Sequence, residues 1–344
     1  MASQGRPRLG WLGLGSMGLA MAINMQKHVN DNGLPPLNYW NRTLSKGEPL
    51  RANKARPCHS IKELIQMCDI IFISVPNAPL PLMRCKKKCN KRSQVSDDEA
   101  LQTVIYSIID SGPITSKIIV DNTTVHPSTT SSIHTQIHKH GASYIAAPVF
   151  GATPLAQAGG LLVAIAGPTQ ALETISPFLK GVIARAVIHV GTEPDSALLL
   201  KTTGNFITAG LMYLLSEAHT FAAKTGLPAD VLEMLVEQNF GAYVHGVSRR
   251  LTSGSYFPPE GRAPSSGLEL GIKDVGHGVG LATEKGMRLE IGELYLDAAR
   301  EAKAYGDERG RRCDSSSVFG IVRRRAGLEF ETDGVKNRDE GASG

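Results

Sequence analysis

The sequence predicts an α/β chain, with a doubly wound parallel sheet in its N-terminal part and an all-α domain after it. Three observations predict this. A short apolar run from Arg8 to Leu12 ends in Gly13-Leu14-Gly15-Ser16-Met17-Gly18, and a helical pattern follows. Further short apolar runs then alternate with helical segments, the pattern of strands covered on both faces by helices. From Asp195 the alternation stops, and helical patterns continue to about Arg325. A chain of 344 residues has room for two domains of ordinary size. We expect them over residues 8–194 and 195–325. Residues 326–344, polar and Gly-rich from Thr332 on, are expected to be disordered.

Each element has its own signal. Arg8 to Leu12 reads as a buried strand and Met17 to Val29 as the helix after it. Asp31 to Pro36 is turn chemistry, with Gly33, Pro35 and Pro36. Leu37 to Trp40 is the second strand. Ser60 to Met67 is a helix opened by an N-cap serine, with Glu63 three residues on. Asp69 to Val75, closed by Pro76, is another buried strand, and Lys117 to Asp121 and Ser143 to Ala147 are two more. Pro79 to Ser116 is too long for a plain crossover and is charged in its middle, so it reads as a surface insertion. Ala197 to Thr225 is one long helix, apolar on most faces. Gly226 suits its C-cap, and Pro228 suits the first turn of the next helix. No internal repeat is evident.

Composition excludes several classes. Hydrophobic residues make up 42%, enough for a packed core. The formal charge of +5 is modest and partly local, at Lys86, Lys87, Lys88, Lys91 and Arg92 and at Arg323, Arg324 and Arg325. A nucleic-acid partner is not expected from it. The five cysteines are odd in number and irregularly spaced, which suits reduced thiols. Cys85 and Cys89 lack a second Cys/His pair, so no metal site is expected. No uninterrupted apolar run reaches the ~18 residues of a membrane span. The first strand begins so early that a leader peptide is not expected, and the expected location is cytoplasmic.

The glycine stretch carries the first chemical reading. Gly13 permits a tight turn after the strand, Gly15 lets backbone approach a pyrophosphate, and Gly18 lets helix pack on strand. The helix N-terminus then faces the phosphate charge. This is the dinucleotide-binding turn of a Rossmann sheet. The second strand ends in Asn41, Arg42 and Thr43. A carboxylate there would hold a ribose 2′-hydroxyl. Arg42 would instead attract a 2′-phosphate, with Asn41 and Thr43 as hydrogen-bond donors. NADP, as NADPH, is therefore expected over NAD.

Four further segments occur in an order that resembles one family. They are Val120-Asp121-Asn122-Thr123-Thr124-Val125-His126-Pro127, Ala147-Pro148-Val149-Phe150-Gly151-Ala152, Lys201-Thr202-Thr203-Gly204-Asn205, and Lys273-Asp274 with the later Asp314, Ser316, Ser317 and Val318. The chain resembles the β-hydroxyacid dehydrogenases over residues 8 to 325. This group includes 3-hydroxyisobutyrate dehydrogenase, glyoxylate/succinic semialdehyde reductases and, more distantly, 6-phosphogluconate dehydrogenase and imine reductases. The resemblance implies that Lys201 exchanges the proton of the substrate oxygen and that Asn205 orients the substrate or Lys201. It implies that Thr123, Thr124, Val75 and Pro76 lie beside the nicotinamide, and that Lys273 reaches the cofactor or closes the cleft, with Asp274 to fix it. It also implies that Phe150, Gly151 and Ala152 line the substrate.

Physics agrees about the helix. Lys201 and Asn205 are four apart and share a face, with Gly204 beside them. Leu198, Leu199, Leu200 and Phe206 make the surroundings apolar, and a lysine desolvated there would exchange its proton nearer neutrality. The pattern breaks at Phe150 and Ala152, where the family has serine and glycine, and at Ala146, where it often has an acid. Phe150 has no donor and adds bulk, so a larger or more apolar carbonyl or alcohol substrate is expected. Imine reduction remains open, though imine reductases usually replace the lysine that is present here. A non-catalytic, chromatin-associated role is a third reading, supported only by the basic segment from Lys86 to Arg92. The long apolar helix from Ala197 to Thr225 exceeds what one small helical domain covers, so a homodimer or homotetramer is expected.

Overall fold

The computed structural model describes residues 6–75 and 97–341, and the chain divides into two compact units, Met1–Lys201 and Thr202–Gly344. Among the described residues the first unit is built on a nine-stranded sheet. Its strands are β1 (Leu9–Leu12), β2 (Asn38–Trp40), β3 (Arg56–Pro57), β4 (Ile70–Ile73), β5 (Ile118–Asp121), β6 (Ser143–Ala146), β7 (Val149–Phe150), β8 (Leu161–Ala166) and β9 (Ala184–Gly191). The order β3-β2-β1-β4-β5-β6 is parallel throughout. The central strands read LGWL, IIFI and IIVD because helices cover both faces, so side chains on both faces are buried. Strand order reverses between β1 and β4. The carboxyl ends of these two strands therefore flank the crevice where a doubly wound sheet takes its ligand.

The helices of this unit are α1 (Ser16–Asp31), α2 (Glu48–Ala52), α3 (Ile61–Met67), α4 (Asp97–Ile109), α5 (Pro127–Lys139), α6 (Thr153–Gln157) and α7 (Thr169–Ile175). The opening of α3 behaves as its sequence suggests. Ser60 Oγ accepts from the Glu63 N–H at 3.0 Å, and the Glu63 carboxylate reaches back to the His59 N–H at 2.7 Å. The stretch expected as a surface insertion differs in its second half. Asp97–Ile109 is the crossover helix between β4 and β5, with Leu101, Ile105 and Ile108 fully buried. The basic segment from Lys86 to Arg92, with Cys85 and Cys89, lies outside the described residues. Beyond β6 the sheet gains three strands absent from the sequence-based expectation. β8 runs antiparallel to β6 and β7, and β9 joins β8 in parallel.

The long helix α8 (Asp195–Thr225) begins in the first unit, where Ala197 and Leu198 join the core around β4 and β5. The second unit holds the rest of α8 with α9 (Ala229–Thr252), α10 (Leu268–Glu284), α11 (Glu290–Glu308), α12 (Val318–Arg325) and α13 (Asp333–Gly341). Pro228 is the N-cap of α9, one residue ahead of the expected first-turn position. The core here is aromatic, with Tyr256, Phe257, Tyr295, Phe319 and Phe330 buried together. Asp314 is buried and accepts from Arg250, from the Ser266 N–H and from Ser316. The expected disorder after residue 325 is not what is seen. Phe330 is buried in this core, and α13 buries Val335 and pairs Asp339 with Arg311.

Among the described residues α8 is the one helix long and apolar enough to cross a bilayer by length and composition. Only 33% of its most apolar window is buried within the chain. Its apolar residues are interrupted by Thr, Gly, Asn and Ser, so an uninterrupted-run criterion passes over it.

Candidate active site

The glycine turn sits at the carboxyl end of β1. Gly13 has φ +95°, and a Cβ there would stand 2.1 Å from the Ser74 carbonyl oxygen. A Cβ on Gly18 would stand 2.3 Å from the Gly13 oxygen. Neither site admits a side chain without moving backbone, so α1 starts hard against the turn. Gly15 is its N-cap, without a side-chain cap and without an acid in the first turn. That leaves backbone N–H groups and the positive end of a 16-residue helix for an anion. Leu14 is buried, Ser16 exposed and Met17 half-buried.

Asn41, Arg42 and Thr43 follow β2 beside this turn. Asn41, expected as a donor to a 2′-phosphate, also has bonds within the chain. Its Oδ1 accepts from the Leu14 N–H at 2.9 Å, and its Nδ2 donates to the Thr43 carbonyl at 2.8 Å. The buried amide thus ties the glycine turn to the end of β2. Arg42 and Thr43 are exposed beside it.

The next two loops leave β4 and β5. The Val75 N–H donates to Thr123 Oγ1 at 3.3 Å, which joins the two expected nicotinamide loops. Pro76 lies outside the described residues. Asp121, the last residue of β5, is buried. Its Oδ1 accepts from the Thr123 N–H at 2.9 Å and its Oδ2 from the Tyr144 hydroxyl at 2.7 Å. Burial raises its pKa to about 6, and the hydrogen bonds from Thr123 and Tyr144 hold it from going higher. Asn122 Nδ2 donates to the Ala147 carbonyl at 2.7 Å, while its buried Oδ1 has no hydrogen-bond partner among the described residues. A buried acceptor without such a partner suits a ligand with amide donors, as a nicotinamide has. These features fit a dinucleotide, with the N–H groups at the start of α1 free for a pyrophosphate.

Phe150 lies on β7, Gly151 has φ +129°, and Ala152 caps the start of α6. Helix α6 packs on α1, where Asn24 donates to the Ala156 carbonyl at 2.8 Å. The expected substrate loop is thereby fixed to the expected cofactor helix. Lys201, the last residue of the first unit, is buried, and its Nζ lies 4.6 Å from the centre of the Phe150 ring. The ring face partly replaces water around the ammonium group. Two residues that the sequence placed in different motifs are therefore in contact.

In the second unit Asn205 Nδ2 donates to Asp274 Oδ2 at 2.7 Å, and Lys273 Nζ lies 3.1 Å from Asp274 Oδ1. Asp274 therefore links Asn205 and Lys273, whereas the sequence offered it only as an adjunct to its neighbour. Asp121 was quoted in a motif and given no role. Its signal was an acid closing the otherwise apolar run IIVD. His126 caps α5, with Nδ1 accepting from the Ser128 N–H. The described residues contain no group of His, Cys, Asp and Glu side chains able to hold a metal.

Comparison with known proteins bears on this arrangement. Residues 8–83 and 93–191 match the family described as the NAD binding domain of 6-phosphogluconate dehydrogenase. The chain belongs to the β-hydroxyacid dehydrogenase family. It is 27% identical over 319 residues to the NADH-dependent oxidoreductase ucdB of Aspergillus ustus, covering 92% of this chain and 99% of that one. It is also 27% identical to glyoxylate/succinic semialdehyde reductase 1 of Arabidopsis thaliana, covering 87% and 99%. Its fold is similar to that of 3-hydroxyisobutyrate dehydrogenase of Mycobacterium tuberculosis, with a TM-score of 0.73, 18% identity and coverage of 92% and 99%. This β-hydroxyacid dehydrogenase homologue is accordingly an NAD(P)-dependent oxidoreductase acting on CH–OH groups.

Proposed function

We propose that the chain is an NADPH-dependent reductase of aldehydes or ketones related to 3-hydroxyacids, with Lys201 as its acid–base residue. The observation that carries this is the buried Lys201 ammonium against the Phe150 ring. The glycine turn and the start of α1 would hold the pyrophosphate, Arg42 and Thr43 the 2′-phosphate, and Val75, Thr123 and Thr124 the nicotinamide. The bound dinucleotide supplies the hydride. Lys201 Nζ gives its proton to the carbonyl oxygen in reduction and takes it back from the alcohol in oxidation. Asn205, held by Asp274, orients the substrate, and Lys273 shares the same carboxylate. Asn41 contributes by holding Leu14 and the glycine turn.

The fungal relative is named for NADH. Arg42 supports the other choice here, because a guanidinium at the end of β2 pairs with a 2′-phosphate and no carboxylate competes. Phe150 disfavours a small carboxylate at its position, so the substrate is more apolar there. Imine reduction ranks second because Lys201 is retained. The three described cysteines are free thiols, as in a reducing compartment such as the cytoplasm.

The test is turnover of NADPH and NADH with a panel of aldehydes and semialdehydes, on the unmodified chain and three variants. Lys201→Ala should lower kcat by ~10²–10⁴ while dinucleotide binding survives. Lys201→Arg should fail too, since a guanidinium does not release its proton. Arg42→Ala should raise the KM for NADPH roughly ten- to a hundredfold and leave that for NADH nearly unchanged. Near-normal kcat in Lys201→Ala would remove the mechanism, and equal use of both dinucleotides by the unmodified chain would remove the NADPH assignment.

A further inference from the structure

Asp121 is a costly residue to keep. It closes an apolar strand, is fully enclosed, and has no cation beside it among the described residues. Replacing it by an apolar residue would spare the fold an unpaired buried charge. What it holds in return is local. Oδ1 takes the Thr123 N–H, and Oδ2 takes the Tyr144 hydroxyl from β6. Thr123 in turn receives the Val75 N–H from the loop after β4. One carboxylate therefore sets the backbone of one loop directly and of the second through a single hydroxyl. A charged acceptor grips an N–H roughly twice as strongly as a neutral one.

We infer that Asp121 is a positioning residue for dinucleotide binding, whose ionised carboxylate fixes the Thr123 turn and, through the Thr123 hydroxyl, the Val75 loop. The inference rests on the reading that these two loops face the nicotinamide. The groups that surround the carboxyl are few. Among the described residues Tyr144 is the titratable one, and burial holds it in its neutral, donating form. Helix α5 presents Thr130 to the Tyr144 hydroxyl, and β4 presents the apolar Ile73. With a pKa of about 6 against an ordinary value near 4, the folded state favours the protonated carboxyl. The group's contribution to stability is thus present below pH ~4 and lost as pH rises through 6. At pH 7 the fold carries an ionised Asp121 at a cost, as expected of a group kept for function rather than stability.

The test measures dinucleotide affinity of the full chain from pH 5 to 8 by the fluorescence of bound NADPH and NADH, with the melting temperature of each variant alongside. Both dinucleotides are used because the 2′-phosphate of NADPH itself titrates near pH 6. Affinity of the unmodified chain should weaken roughly tenfold from pH 7 to pH 5. Asp121→Asn keeps an oxygen for the Thr123 N–H but has no charge to lose. Its affinity should be lower at pH 7 by about two- to tenfold and flat over this range once the phosphate contribution, absent with NADH, is set aside. Its melting temperature at pH 7 should be equal or higher. Tyr144→Phe removes a donor that favours the charged form, so the inflection should move to higher pH. A pH inflection in Asp121→Asn equal to that of the unmodified chain would overturn the inference. So would an unmoved inflection in Tyr144→Phe, or a loss of affinity in Asp121→Asn that only follows a fall in melting temperature. Lys201 takes no part in these measurements, so a failed acid–base mechanism and a failed Asp121 assignment give different results.

Discussion

Phe150 and Lys201 show what single residues do here. The sequence marked Phe150 as a departure from the family's serine and Lys201 as the proton carrier, without linking them. The 4.6 Å contact makes the ring part of the lysine's surroundings, and the proposed function also puts it against the substrate. Phe150→Ser should therefore change substrate choice most. It restores a hydroxyl donor, so the ratio of kcat/KM for a small carboxylate-bearing aldehyde to that for a neutral aldehyde of similar size should rise by about tenfold, the worth of one hydrogen bond to a charged group. An unchanged ratio would mean that Phe150 does not touch the substrate. Other residues were less legible. Asn41 was read as a phosphate ligand from its position, and its further bonds to Leu14 and Thr43 were not foreseen. Type and position show that a polar group is present, and only packing shows which partners it has.

At the scale of elements, the β1–turn–α1 unit leaves least room for change. A Cβ at Gly18 would meet the Gly13 carbonyl oxygen, which is backbone and cannot turn aside. Gly18→Ala should move the start of α1 away from β1 by a few tenths of an ångström or more. An overpacked site costs ~1–3 kcal/mol, so dinucleotide affinity should fall by roughly five- to a hundredfold while the far-ultraviolet circular dichroism spectrum stays that of a folded chain. Unaltered affinity would show that the turn does not cradle the phosphates. Strands β1, β2, β4, β5 and β6 were legible because each is a short, largely apolar run between turn residues, whereas β3, the two residues Arg56 and Pro57, was not. β8 was not. Its segment LLVAIA suits a buried strand or a buried helix turn equally, and only its pairing with β7 and β9 decides. Helix α4 was hidden by the charged stretch before it, which made the whole connection read as loop.

For the whole molecule, the outer surfaces of α8 and α9 matter. Ile207, Leu214 and Phe221 recur every seven residues along α8 and are 55%, 60% and 70% exposed. Met234, Leu235, Phe240 and Tyr243 on α9 are exposed as well. Large apolar side chains at a seven-residue spacing are what a helix presents to another helix. The chain should therefore form a homodimer or homotetramer, and light scattering should give a mass that is a multiple of 36.8 kDa. Leu214→Glu with Phe221→Glu should shift the population toward the single chain. A stable, active species at 36.8 kDa for the unmodified protein would refute the assembly.

By itself the sequence determined where most of the sheet's parallel strands fall along the chain, the dinucleotide turn and the family, and it singled out the lysine proposed for acid–base chemistry. These follow from local patterns: apolar runs of strand length, glycines at fixed offsets, and a lysine and an asparagine one helical turn apart. Tertiary structure alone decided that Asp121 braces two loops, that Asp274 links Asn205 to Lys273, that Asn41 serves the turn, and that residues 326–341 are packed. Those are contacts between residues far apart in the chain. Hydrogen-bond partners and burial depend on which segments pack together, and a residue's own neighbours in sequence carry little of that information.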